Sequence, residues 1–248
     1  MRRSIRPAVL AFVAVLGGVL GGALAGCSAI TPEPPLSEVV LDVPAGSADA
    51  AREALEERLE AAGMERVSVA ADGERVTVRF APDTVGVADD VFTTPGVLAI
   101  RPVTAPAADP LPDCVNATPQ EACQAETPDG ELLRLGPSDV AGHAVDGVEA
   151  RIEQGEWVVL LDLTDAGGAA MEVLTGALAC AEDQALPRMA VLLDGGILTA
   201  PSLFLECGDA LTTEIQFSGM KDRQDAMRTA ALLAAELPEG VTIVSATP

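Results

Sequence analysis

The chain contains no Tyr, one Trp, five Phe and one His in 248 residues. So few aromatic planes leave little from which to build stacking platforms for bases or sugars. Cationic side chains are scarce as well, with 15 Lys and Arg against 38 Asp and Glu and a formal net charge of −23. A nucleic-acid binder supplies cations to replace phosphate counterions, so no nucleic acid is expected as a partner. The same deficit disfavours electrostatic docking onto anionic lipid. The lone His143 sits in a Gly-containing loop and no Cys pair has CxxC spacing, so no metal and no cofactor are expected. Nucleophilic catalysis needs His, Cys or paired acids placed together, and the many acids show no diagnostic spacing; the chain does not read as an enzyme. What is left is the solvated, acidic surface of a protein long enough for one large domain or two small ones.

Long apolar runs are absent beyond the amino terminus. There, Arg2, Arg3 and Arg6 precede an apolar stretch from Ala8 to about Ala25, ending in Leu24-Ala25-Gly26-Cys27. Residues 1–26 thus resemble a bacterial lipoprotein signal peptide. The resemblance implies that Cys27 is acylated, becomes the first mature residue, and anchors the protein in the lipid bilayer at the extracytoplasmic face of the cell membrane. The competing reading is an uncleaved membrane anchor, which Gly17, Gly18, Gly21 and Gly22 weaken as a spanning helix. Removing residues 1–26 takes three Arg and no acid from the totals of 15 and 38, leaving 12 against 38, or −26. Residues 27–37, with Pro32, Pro34 and Pro35, read as a stiff tether.

A regular pattern begins at Glu38. Val39 to Val43 reads as a strand, and Ser47 as the N-cap of a helix with Ala51, Leu55, Leu59 and Ala62 in register, stopped by Gly63. Val67–Ala70 and Arg75–Phe80 are strands joined through Asp72-Gly73. A weak helical segment covers Thr84–Val91, and Val97–Val103 completes a strand-helix-strand-strand-helix-strand order. That order predicts a ferredoxin-like unit over residues 38–104.

Residues 105–130 hold five Pro and no periodicity, and read as a linker. Four Cys remain once Cys27 is assigned to lipid. In an exported protein an even number favours disulfides, and we pair Cys114 with Cys123 and Cys180 with Cys207. The sequon-like Asn116-Ala117-Thr118 is discounted as a chance match.

Residues 131–248 form the next unit. WVVLLDL (157–163) is a buried strand, and Thr164 or Asp165 caps a helix with Met171, Leu174 and Leu178 on one face. Met189–Leu193 and Ile197–Leu205 flank an Asp194-Gly195-Gly196 turn, with Pro201 marking a bulge or edge. Thr212–Phe217 is a strand, Lys221–Leu237 a helix ended by Pro238 and Gly240, and Val241–Val244 a last strand. The segments LLRLGPSDVAG, WVVLLDLTDAGGAAM, MAVLLDGGILTAPSL, TTEIQFSG and DAMRTAALLAAELPEGVTIV resemble the first large extracytoplasmic domain, base plus head, of the SecD protein-export subunit. The most specific part is the turn motif Leu193, Asp194 and Gly195 with Thr199, Ala200 and Pro201. The resemblance implies an α+β fold in which a ferredoxin-like base is followed by a SecD-type head, and partners among unfolded secretory proteins or the Sec channel.

The proton-linked residues of that family lie in membrane helices, and this sequence reads as ending before them, so no proton-coupled motor is expected of it alone. Asp194, an acid beside two glycines, reads as a turn residue and not as a catalyst. Two functions follow: a lipoprotein assisting export, or an envelope scaffold or ligand-binding lipoprotein reusing the fold.

Overall fold

The computed structural model describes residues 35–81, 89–104, 110–138, 140–181, 187–212 and 214–247. Cys27, the signal segment and most of the tether lie outside them. The chain begins with strand β1 (Ser37–Asp42), helix α1 (Ala48–Ala61), and the hairpin of β2 (Ser68–Asp72) and β3 (Arg75–Phe80). Alternation puts Ser37, Val39 and Leu41 inward on β1 and Val76 and Val78 inward on β3, while Ala51, Leu55 and Leu59 recur at helical spacing along α1. The apolar groups among these meet in one core with Phe92, Leu237 and Val241. Each fully buried Leu or Val there contributes about 1.5–3 kcal/mol.

After the single turn α2 (Asp90–Thr93), the chain enters a second body with strand β4 (Leu98–Pro102). It contains β5 (Cys123–Glu126), β6 (Leu132–Leu135), β7 (Val140–Ala141), β8 (Val145–Glu153), β9 (Glu156–Leu163), α3 (Asp165–Ala179), β10 (Met189–Leu193), β11 (Gly196–Thr199), β12 (Glu214–Phe217) and α4 (Arg223–Ala234). Strand β13 (Thr242–Thr247) then closes the chain. The sheets run β13-β1-β3-β2, which we call the base, and β11-β10-β4-β7, β12-β9-β8 and β5-β6 in the head. One core joins the head: Ile100, Leu161, Met189 and Phe217 from the strands meet Met171 and Leu178 of α3 and Ala230 and Leu233 of α4. The other face of β10, through Ala190 and Leu192, is covered by Leu133, Leu135 and the Cys114–Cys123 pair. Burial on both faces explains why MAVLL is apolar without alternation.

Several sequence expectations shift. Strand β4 pairs with β10 and β7 instead of completing the base, whose fourth strand is the carboxy-terminal β13. Periodicity identifies a strand but not its partner; β4 buries Leu98 and Ile100 in the head core and Arg101 beside them, which suits a central strand. The stretch read as a linker holds a 3-10 turn (Cys114–Asn116) and strand β5. The β2–β3 turn falls one residue later than expected, at Gly73-Glu74, with only Gly73 at positive φ, as a type II′ turn requires. Of the segment read as helical over Thr84–Val91, residues 84–88 lie outside the described ones and the helical turn begins at Asp90. Ser47 does precede α1, but its hydroxyl donates back to the Pro44 carbonyl (2.7 Å) instead of capping. Helix α4 stops at Ala234, three residues early, because the chain turns extended at Ala235 and gives that carbonyl to Arg58 (2.8 Å).

Candidate functional site

Helix α4 is the element that joins the two bodies. Its sequence RQDAMRTAALLA is rich in Ala, and small side chains let α1 approach one face while β8 and β9 take another. Asp222 caps it, accepting from Asp225 N–H (2.9 Å). At its carboxy-terminal end lies Arg58 of α1, fully buried although charged. Its guanidinium donates to the carbonyls of Ala235 (2.8 Å), Val91 (2.8 Å), Thr94 (2.8 Å) and Pro95 (2.5 Å). Burial pushes its pKa down to about 10, and the negative charges of Asp194, Asp90 and Glu236 oppose that shift. One cation therefore ties α1, the α2–β4 connection and the end of α4 together.

The turn motif completes this clasp. Leu193 pairs with Gly196, so Asp194 and Gly195 form a two-residue turn with φ +50 and +78, the type I′ geometry. The Asp194 carboxylate accepts from Gly96 N–H (2.9 and 3.2 Å) and Val97 N–H (2.9 Å), and its own N–H donates to the Val97 carbonyl (2.9 Å). A Cβ on Gly195 would stand 2.5 Å from the Val115 backbone, inside the Cys114–Cys123 loop. A Cβ on Gly96 would meet the Arg58 guanidinium at 2.2 Å. Thr199 ends β11, and the Ala200 carbonyl accepts from Arg188 (3.3 Å). The Pro201 carbonyl accepts from Met189 N–H (3.2 Å), which extends the β10–β11 hairpin. The motif is thus a set of turn and backbone contacts.

A second buried cation holds the disulfide loop. Arg101 of β4 donates to the carbonyls of Glu121 (2.7 Å), Thr118 (2.9 Å) and Gly136 (3.1 Å), and burial lowers its pKa. Cys180 and Cys207 are bonded, tying the end of α3 to the loop after Phe204. Sequence reasoning missed both buried Arg, since a lone Arg on a strand or helix gives no sign of burial.

Apolar groups that face solvent on the head include Phe204 and a stretch of α3. Phe204 is 85% exposed, whereas neighbouring Leu203 and Phe217 are buried. Along α3, Ala170, Val173, Leu174 and Ala177 line a groove of about 270 Å³ with Pro102 and Pro137, and Val173 is 73% exposed. No group of three His, Cys, Asp or Glu is placed to hold a metal among the described residues. Nor is any helix among them long and apolar enough to cross a membrane.

Residues 120–238 match the family model described as SecDF, P1 head subdomain. The chain carries a SecD-like P1 domain. Two solved structures share its fold. One, SecDF in a super-membrane-facing form, is 19% identical with a TM-score of 0.57, covering 85% of this chain and 30% of that one. The other, from the structure of a membrane component SecDF that enhances protein export, is 20% identical with a TM-score of 0.54, covering 84% of this chain and 98% of that one. The chain therefore spans about 30% of the length of the first. No curated protein matches the sequence.

Proposed function

We propose that this protein is a lipid-anchored envelope protein that assists protein export, its SecD-like head contacting emerging secretory chains or the Sec channel. The observation that carries this is the match of residues 120–238 to the SecDF P1 head. The two disulfides suit an oxidising, extracytoplasmic location. Acylation of Cys27 would supply the anchor, and two or three acyl chains hold firmly where one does not. The role is binding: the exposed Phe204 and the α3 groove give an unfolded chain apolar surface, and catalysis plays no part. The second reading, an envelope scaffold or ligand-binding lipoprotein, draws on the low identity of the two structures, at which fold alone is shared.

Pulse–chase of secreted proteins in a deletion strain tests the proposal. Slowed release or folding, restored by the intact gene, supports it. Unchanged secretion kinetics would overturn it.

A further inference from the structure

Strand β8 is the outer strand of its sheet, paired with β9 on one side and with no strand on the other among the described residues. The register fixes which of its backbone groups are spare. Gln154 and Gly155, both at positive φ, make a two-residue turn closed by the Glu153–Glu156 pair. Counting from that pair, Glu153, Arg151 and Glu149 exchange hydrogen bonds with β9, while the N–H and C=O groups of Ile152, Ala150 and Val148 point away from it. No loop or turn backbone hydrogen bond engages those three residues among the described ones. Sheet edges are commonly blunted by Lys, Pro or a bulge. Strand β8 has neither Lys nor Pro, and its one register shift lies at its start, between Val145 and Gly147.

Across an open cleft of about 490 Å³, this edge faces the carboxy-terminal half of α1. Glu57 and Glu60 line the helix side, Asp146 and Glu149 the strand side, and Ala61, Val148, Ala150 and Met227 supply apolar surface. No Lys or Arg lines the cleft. Arg151 approaches Glu149 at 3.6 Å, but Glu57, Glu60 and Asp146 make no ion pair among the described residues. An unpaired strand edge beside a helix, across a cleft, is the frame on which an extended peptide adds as a further strand. Its main-chain bonds supply affinity without regard to sequence, and the walls select side chains.

We propose that the cleft between β8 and α1 captures an extended, cation-rich segment of an unfolded polypeptide, which pairs with β8 as a fourth strand of the β12-β9-β8 sheet. This rests on the reading that the protein meets emerging secretory chains, and it names the surface and the class of segment. Val148 to Ile152 offers an edge of about 17 Å, so some five residues of the guest are held. Glu57, Glu60 and Asp146 select Lys or Arg on the guest and repel a second copy of this acidic chain.

The test uses the full chain in detergent and three labelled ten-residue probes: alternating Lys and Val, the same with Glu for Lys, and the Lys peptide N-methylated at alternate residues along one edge. Fluorescence anisotropy should show binding of the Lys peptide, about tenfold weaker binding of the N-methylated one, as the loss of one or two main-chain hydrogen bonds requires, and none of the Glu peptide. Amide exchange at Val148, Ala150 and Ile152 should slow on binding. The double variant Glu57→Lys, Glu60→Lys changes two exposed positions and should weaken the Lys peptide several-fold while the circular dichroism stays unchanged. Equal binding of the N-methylated peptide, or unaltered exchange along β8, overturns the proposal. Crosslinks from Phe204 to secretory precursors that persist in that double variant, with no peptide held at β8, would refute the cleft alone. Peptide held at β8 without any such crosslinks in cells would refute the export reading and leave the cleft as a peptide site.

Discussion

Replacing Asp194 by Ala tests the clasp directly. The carboxylate serves two backbone N–H groups, Gly96 in a part-buried place and Val97 in an exposed one. Hydrogen bonds to a charged group contribute about 1.5–3 kcal/mol each, and water can replace the exposed one, so their loss costs about 2–4 kcal/mol. The residue also sits at φ +50, where Ala is less favourable by about 1 kcal/mol. The expected total is about 3–5 kcal/mol. Asp194→Asn tolerates the left-handed backbone and retains one acceptor oxygen, and should cost only about 1–2 kcal/mol. Equilibrium urea unfolding of the oxidised protein reads both. With a slope of about 3 kcal/mol per M, the Ala variant should lose about 1–1.7 M in midpoint and the Asn variant about 0.3–0.7 M. An Ala variant within about 0.5 kcal/mol of the parent, or an Asn variant as damaged as the Ala one, would refute the assignment of the carboxylate as the clasp.

Three further outcomes follow from the same structure. Arg58→Met should destabilise by at least about 3 kcal/mol in urea, because four buried or part-buried carbonyls lose their donor; a smaller loss would mean that water reaches them. Replacing Cys180 and Cys207 together by Ser should lower stability by about 3–4 kcal/mol, as expected for a closed loop of 27 residues, and the reduced parent, which loses Cys114–Cys123 as well, should lose more; a double variant as stable as the oxidised parent would count against this. Glu131 has its pKa held below 4.5 by the hydrogen bond from Arg188. A depressed carboxylate contributes stability that is present above its unfolded value and lost as pH falls through the folded one. Glu131→Gln should therefore flatten the stability profile below about pH 4.5 and leave it unchanged near pH 7 in relative slope; an unaltered acid limb would count against the pairing.

The elements that sequence exposed are those whose local chemistry is sufficient by itself. The Asp194-Gly195 hairpin, the helix ended by Gly63 and the strand WVVLLDL all carry turn, cap or burial signals within a few residues. Strand β8 escaped because VDGVEARIE mixes a glycine and charges with a broken alternation, and its turn uses Gln154 where Asn or Asp would have signalled positive φ. Strands β5 and β6 were half hidden by surrounding prolines, although the Cys pair within that stretch drew attention to it. Partnership was the least legible property. Nothing in LAIRP says that it lies beside MAVLL, nor in TIVSAT that it lies beside SEVVLD, since those pairings are decided by the return of the chain through α4. The clasp was legible only in its turn; Arg58 and Arg101 became visible through burial and through the carbonyls around them.

The measurement that bears most directly on the export reading is in-cell photo-crosslinking from a probe at Phe204, the exposed aromatic of the head, with a buried control at Phe217. Captured proteins are identified by mass spectrometry. The account predicts many unrelated secretory precursors, or the Sec channel, from position 204 and far fewer from position 217. Capture of one dedicated envelope protein, or of nothing at all, would contradict it.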